Sequence, residues 1–238
     1  DFEFPSKEVI DLLSADYQRL AEILDASPED QAIRRALVRS ALALTEALTD
    51  FLKRVSFDFA TGVLLPLQQH IGALKKHCPV HLISQEISHT ELALLQDEVS
   101  RISDKGELVR STVYPDYKKN VKFAVKELIK IFGLYVPDQF FQSDGWKALL
   151  QSTDLRNKLT HPKKLEELEV CDDQLRRLAY GTQWMLDAYG DLLSKVGDAT
   201  EKAEVECEKW VQSITPEVAA ELADTLHQIP LVSKGGQT

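Results

Sequence analysis

Leu37, Ala41, Leu44, Leu48, Phe51 and Val55 recur at alternating intervals of four and three residues. That spacing lines them up along one side of a helix and makes a face that must be buried against a core or another helix. A strand cannot use it, because a two-residue period would scatter these side chains over both faces. Similar series run through Ile10, Leu13, Tyr17, Leu20 and Ile23-Leu24, through Val121, Val125, Leu128 and Phe132, and through Leu175, Leu178, Thr182, Met185, Tyr189, Leu192 and Val196. With only 10 Gly and 9 Pro in 238 residues, and 44% apolar residues to fill a core, the chain is predicted to be all-α.

The punctuation between these series predicts the elements. A first helix is expected from Pro5-Ser6 to about Leu24. Ser27 is expected to cap the next, with Pro28 in its first turn and Glu29-Asp30 at its positive end. Residues 56–66 read as irregular, with Gly62 and Pro66 as breakers. A helix to about Lys76, a turn at Cys78-Pro79 and a helix from Ser84 to Ser103 suggest a helical hairpin, with Leu92, Leu95, Val99 and Ile102 on one side. Asp104-Lys105-Gly106 and Pro115 mark loops. A helix from about Asp116 ends at Gly133, and Ser143-Asp144 caps a short helix through Trp146 and Leu150. A long helix opens at Cys171-Asp172-Asp173 and continues as a polar helix over 198–212. A last helix runs from Thr215 to near Gln228, and from Pro230 a tail or linker is expected.

Net charge is −10, which argues against a nonspecific nucleic-acid coat. Its distribution is uneven. Between Arg110 and Lys164 there are 11 Lys and Arg against 5 Asp and Glu, whereas the rest of the chain has 17 against 33. Within the basic part, Lys119, Lys122, Lys126 and Lys130 form a stripe at three- and four-residue spacing. Such a stripe repels itself. It either follows a phosphate backbone or keeps a surface solvated. Phe140, Phe141 and Trp146 either stack on bases or pack beneath the neighbouring helix, and packing is the expectation.

The three cysteines, Cys78, Cys171 and Cys207, are far apart and odd in number, which fits a reducing, cytoplasmic setting. His77, Cys78 and His81 lack a fourth ligand, so no metal and no cofactor is expected. No apolar run approaches the roughly 18 residues that cross a bilayer. The first residue is Asp, so a piece of a longer or processed chain is expected. No secretory signal pattern, Gly-rich phosphate loop or nucleophile elbow is present.

One stretch within the basic part concentrates chemistry: Thr153-Asp154-Leu155-Arg156-Asn157-Lys158-Leu159-Thr160-His161-Pro162. Thr153 can cap a helix start, with Asp154 in the positive first turn. Pro162 ends the helix and pushes His161 out of helical geometry. A guanidinium offers a planar fork of donors for phosphate, and an imidazole exchanges protons near neutrality. Asn157 can orient either. Taken alone, the spacing also fits an arginine paired to a carboxylate and a histidine that caps or packs. Glu46, on the polar flank of the Leu37–Val55 series, is either a surface residue or the group that faces and orients Arg156.

The Arg156-Asn157-x3-His161 motif resembles the R-N-x3-H signature of the HEPN superfamily of helical domains, many of them metal-independent RNases. Residues 39–52, with Glu46 ahead of a small-apolar-aromatic run, resemble that family's first core helix. The helix Val121 to Leu134, leading by a loop into the motif, agrees with its order. The likeness covers roughly residues 30–200. It implies an antiparallel helical bundle over 30–200, an N-terminal helical extension over 1–29, and a C-terminal helix and tail over 201–238. It also implies a homodimer in which Arg156 and His161 of two copies face each other, with Asn157 holding the geometry and Glu46 supporting it. RNA would lie along Lys119, Lys122, Lys126, Lys130, Lys158, Lys163 and Lys164. Cleavage would leave 2′,3′-cyclic phosphate ends, in a defence or toxin setting that admits a regulatory or antitoxin protein. The alternative is a noncatalytic dimerisation or binding scaffold.

Overall fold

The computed structural model describes residues 7–65, 87–102, 108–112 and 116–220. These form a predominantly helical protein. α1 (Lys7–Ala26) lies along α2 (Gln31–Phe59), the helix of the Leu37–Val55 series. Leu37, Ala41, Leu44 and Leu48 of that series are buried, as are Val38, Leu42 and Leu52 beside them. α3 (His89–Leu95) is followed by a two-stranded antiparallel hairpin, β1 (Glu98–Ile102) and β2 (Leu108–Thr112), in which Ser100 pairs with Arg110. α4 (Tyr117–Phe132), α5 (Asp144–Thr160) and α6 (Asp172–Ser213) complete the described elements, with single turns of 3-10 helix at Phe140–Gln142 and Leu165–Leu168. The common core joins α2, α4, α5 and α6 through Leu44, Leu52, Val121, Val125, Leu128, Leu149, Leu178, Met185 and Leu192.

Most ends fall where the sequence puts them. Asp116 caps α4, accepting from the Lys119 N–H at 3.3 Å. Gly133 closes it at φ 61°, a left-handed conformation that a side chain would disfavour. Cys171 opens α6, with the Gln174 side chain accepting its N–H. The polar continuation over 198–212 stays helical, so α6 runs unbroken through position 200. Residues 216–220 are helical too.

Four expectations are corrected. Asp30, not Ser27, caps α2, because its carboxylate accepts from the N–H groups of Ala32 and Ile33, while the Ser27 N–H closes α1. Residues 56–65 are not irregular: α2 continues to Phe59 and passes into a π-helical turn, Ala60–Leu64. Burial of Ala60 and Leu64 outweighs the modest cost of Gly62, about 1 kcal/mol against alanine. Of the predicted helix Ser84–Ser103, the described residues are helical only over α3. Asp97, at φ 54°, ends it, and the chain after it finds a strand partner in β2. Finally, Thr153 starts no helix. α5 begins nine residues earlier at Asp144, behind the Ser143 cap. The Thr153 hydroxyl instead donates back to the Leu149 carbonyl at 3.2 Å, an internal bond that lets threonine sit inside a helix. The expected helix near 67–76, the His77-Cys78-His81 group, the last predicted helix beyond position 220 and the tail expected from Pro230 lie outside the described residues.

Candidate functional site

The motif occupies the last turn and a half of α5. Trp146, Leu149, Leu155 and Leu159 bury one side of that helix, which fixes the direction in which Arg156 leaves it. Its Nη1 donates to Oε1 of Glu46 on α2, and the two side chains keep 26% and 42% exposure. The ion pair therefore sits at the edge of the core with one side open to water. Tyr117 of α4 lies beside it. Burial pushes the Tyr117 phenol well above its ordinary range; Glu46 adds to the rise, and Thr45 and Arg156 oppose it.

His161 is the C-cap of α5. Its backbone leaves the helical region at φ −128°, ψ 59°, while its N–H still donates to the Asn157 carbonyl at 3.0 Å. Pro162 lies next in sequence, and the residue before a proline is pushed out of helical geometry. The imidazole is exposed, as are Asn157 and Lys158. Arg156 and His161 do not hydrogen-bond to each other, and only Arg156 is anchored. The segment after them is strapped to the start of α2. Arg35 donates to the Leu168 carbonyl, buried Arg34 to the Val170 carbonyl, and Gln31 accepts from the Val170 N–H. Arg34 also meets Asp172 at 2.7 Å. Lys163 and Lys164 lie in this exposed strap, where the Lys163 N–H donates to Glu167.

The lysine stripe divides. Lys119 and Lys126 are exposed, Lys122 covers the Phe141 ring at 5.3 Å, and Lys130 is ion-paired with Glu91 at 2.5 Å. Phe140, Phe141 and Trp146 pack with Trp184 of α6, centroid to centroid at 5.0–5.9 Å. They buttress the start of the motif helix and are not a stacking platform. On the α6 flank of α5, Gln151, Asp154, Lys158, Gln174 and Arg177 line a cavity of about 220 Å³.

The sequence reading missed the interior continuation of the site. Thr45, Thr49 and Lys53 of α2 are buried, and Tyr189 of α6 donates to the Thr49 hydroxyl at 3.1 Å. Lys53 Nζ, with no exposure, lies 2.5 Å from Asp97 and 3.9 Å from Asp50. The signal was present: Glu46, Asp50 and Lys53 repeat at four and three along one side of a helix whose core face is mostly apolar. Among the described residues no three His, Cys, Asp or Glu side chains are grouped to hold a metal ion, and no helix is long and apolar enough to cross a membrane. Comparison with protein-family models, curated proteins and solved structures returns no match.

Proposed function

We propose that the chain is a metal-independent endoribonuclease of the HEPN type, acting as a pair of copies. The observation that carries this reading is the contrast within one motif: a guanidinium fixed at the edge of the core by Glu46, and an open imidazole five residues later at a helix end. Arg156 would hold the scissile phosphate and its developing charge. His161 would take the proton from the 2′-hydroxyl, whose oxygen then bonds to phosphorus. The bond from phosphorus to the 5′-oxygen breaks, and the leaving oxygen takes a proton from a second His161 across the dimer. The product would end in a 2′,3′-cyclic phosphate. Asn157 would orient the phosphate, and Lys119, Lys126, Lys158, Lys163 and Lys164 would carry the strand. The setting would be cytoplasmic defence or a toxin, with a protein inhibitor.

A second reading is a noncatalytic HEPN-like scaffold. It is favoured by one observation, that Glu46 already neutralises Arg156. End-labelled RNA separates the two. His161→Ala should cut the cleavage rate by about 10²–10⁴, the ordinary size of general acid–base catalysis. Wild-type protein should work in EDTA, leave cyclic-phosphate ends and sediment as a dimer. Binding without cleavage, indifferent to His161→Ala, would establish the scaffold.

A further inference from the structure

Charge along the inner face of α2 does not balance. Glu46, Asp50 and Lys53 follow one another at four and three residues and so share one side of the helix. Around them α4 contributes Tyr117 and Asn120, the turn before β1 contributes Asp97, α5 contributes Arg156, and α6 contributes Tyr189. Three carboxyls thus share two cations. Lys53 is taken by Asp97 at 2.5 Å, and Arg156 is taken by Glu46. Asp50, two-thirds buried, is left with Lys53 at 3.9 Å, beyond hydrogen-bond reach. The other group that meets it is Asn120, whose side-chain hydrogen bond favours the charged carboxylate and only partly offsets its burial.

We propose that Asp50 is a positioning residue of the Arg156 site: through Glu46, one helical turn away, its charge sets how firmly Arg156 is held and how readily that guanidinium turns to an outside anion. The anion part rests on the reading of Arg156 as the phosphate-facing side chain. An ionised Asp50 adds negative potential behind Glu46, so it draws Arg156 inward and repels an incoming phosphate. A protonated Asp50 does neither. The proton comes on at an accessible pH. Burial pushes Asp50 up to about 6; Lys53 pulls it down, Asp97 and Glu46 add to the rise, and Asn120 opposes it. By linkage, an anion on Arg156 must raise the Asp50 midpoint as much as the Asp50 proton strengthens anion binding.

The test is an NMR titration of the isotope-labelled full chain, following the Asp50 carboxyl carbon and the Arg156 Nε–Hε signal. Sulfate is the probe, because it stays doubly charged across the range. The Asp50 midpoint should lie near 6. The Arg156 signal should move with the same midpoint in wild type and in His161→Ala, which removes the motif's own imidazole. The step should vanish in Asp50→Asn, and sulfate should shift the wild-type midpoint up. An Asp50 midpoint in the ordinary aspartate range overturns the proposal, as does an Arg156 signal that ignores the Asp50 step. The wild-type titration decides this even if Asp50→Asn fails to fold. A midpoint indifferent to sulfate while Arg156 still follows Asp50 keeps the positioning role and removes the phosphate reading. No RNA is present, so loss of the nuclease reading would show only in the cleavage assay.

Discussion

α5 meets α6 on one flank and α2 on the other, and the two contacts are built from opposite materials. Toward α6, apart from the polar cavity beside Gln151 and Arg177, the contact is dry and close. Gly181 comes so near that a Cβ there would stand 2.6 Å from the Leu149 nitrogen, and Trp146 packs on Trp184. Toward α2 the contact includes Arg156 and Glu46, both partly in water, and behind them the run of polar groups down to Lys53. The dry flank admits one arrangement, because packed atoms cannot be rearranged without creating voids or clashes. The charged flank admits more than one, since three carboxyls share two cations and Lys53 lies within 4 Å of both Asp97 and Asp50. α5 is thus held rigidly toward α6 and adjustably on the side that presents Arg156.

The largest effect expected on this contrast comes from the deepest point of the charged flank. Asp97→Asn keeps the size and the left-handed tolerance of Asp97 but leaves Lys53, which has no exposure, without its carboxylate. Breaking a buried pair in this way costs about 3–5 kcal/mol. Adding Lys53→Met should recover most of it, because a methionine of similar volume needs no partner. Urea unfolding of the single and double variants measures both. A single-variant loss under about 1 kcal/mol would mean that Lys53 reaches water, and the charged flank would then be no deeper than the Arg156 pair.

The dry flank is sharpened by Gly181→Ala. Backbone atoms of Leu149 and Ala148, which cannot swing aside, stand at 2.6–3.0 Å from the added carbon. Overpacking of this kind costs about 1–3 kcal/mol. Gly190→Ala on the same helix meets nothing within 4 Å and is exposed. It should gain up to about 1 kcal/mol from helix propensity. Equal effects at the two positions in thermal unfolding would erase the distinction between a close contact and an ordinary helix face.

Legibility in the sequence followed the same division. The dry contacts could be read because they repeat: the Leu175–Val196 series and the apolar side of α4 face the core, and the Phe140–Trp146 aromatics pack as expected. The length of α5 could not be read from its own residues, since Thr153 is as good a cap as an internal residue and only the burial of Leu149 and Leu155 decides. Val99 and Ile102 continue the spacing of Leu92 and Leu95, so a helix pattern covered a strand; the left-handed turn at Asp97 is a tertiary choice tied to Lys53, 44 residues away. For the candidate site, the pairing of Glu46 with Arg156 was legible. The proton-holding Asp50 was not, because a buried carboxyl is defined by what other helices bring to it.

A smaller effect separates the flanks by pH. Asp50 keeps its proton to about 6 in the folded chain, above the unfolded value of about 3.9. The native state therefore binds more protons between these values. The favourable contribution is complete below the unfolded value and is lost as pH rises through the folded one. Asp50→Asn cannot ionise, so its stability relative to wild type should climb from about pH 4 to pH 7 and then level off. A flat difference in unfolding free energy across that window would place Asp50 in an environment no drier than water.

The smallest expected stability change is at the site itself. Glu46→Gln removes the charge that holds Arg156, but both side chains are partly exposed. Water takes over much of the lost solvation, so the loss should stay below about 1 kcal/mol. The functional change should be larger than the structural one. A guanidinium freed from Glu46 can meet phosphate, so binding of single-stranded RNA should tighten when measured by fluorescence anisotropy. Cleavage should fall at the same time, because a fork that is not held cannot aim its donors at the developing charge. Tighter binding with slower cleavage would mark Glu46 as the group that orients Arg156. A stability loss above about 2 kcal/mol with unchanged RNA binding would instead make the pair a bolt between α2 and α5, and the charged flank would be as structural as the dry one.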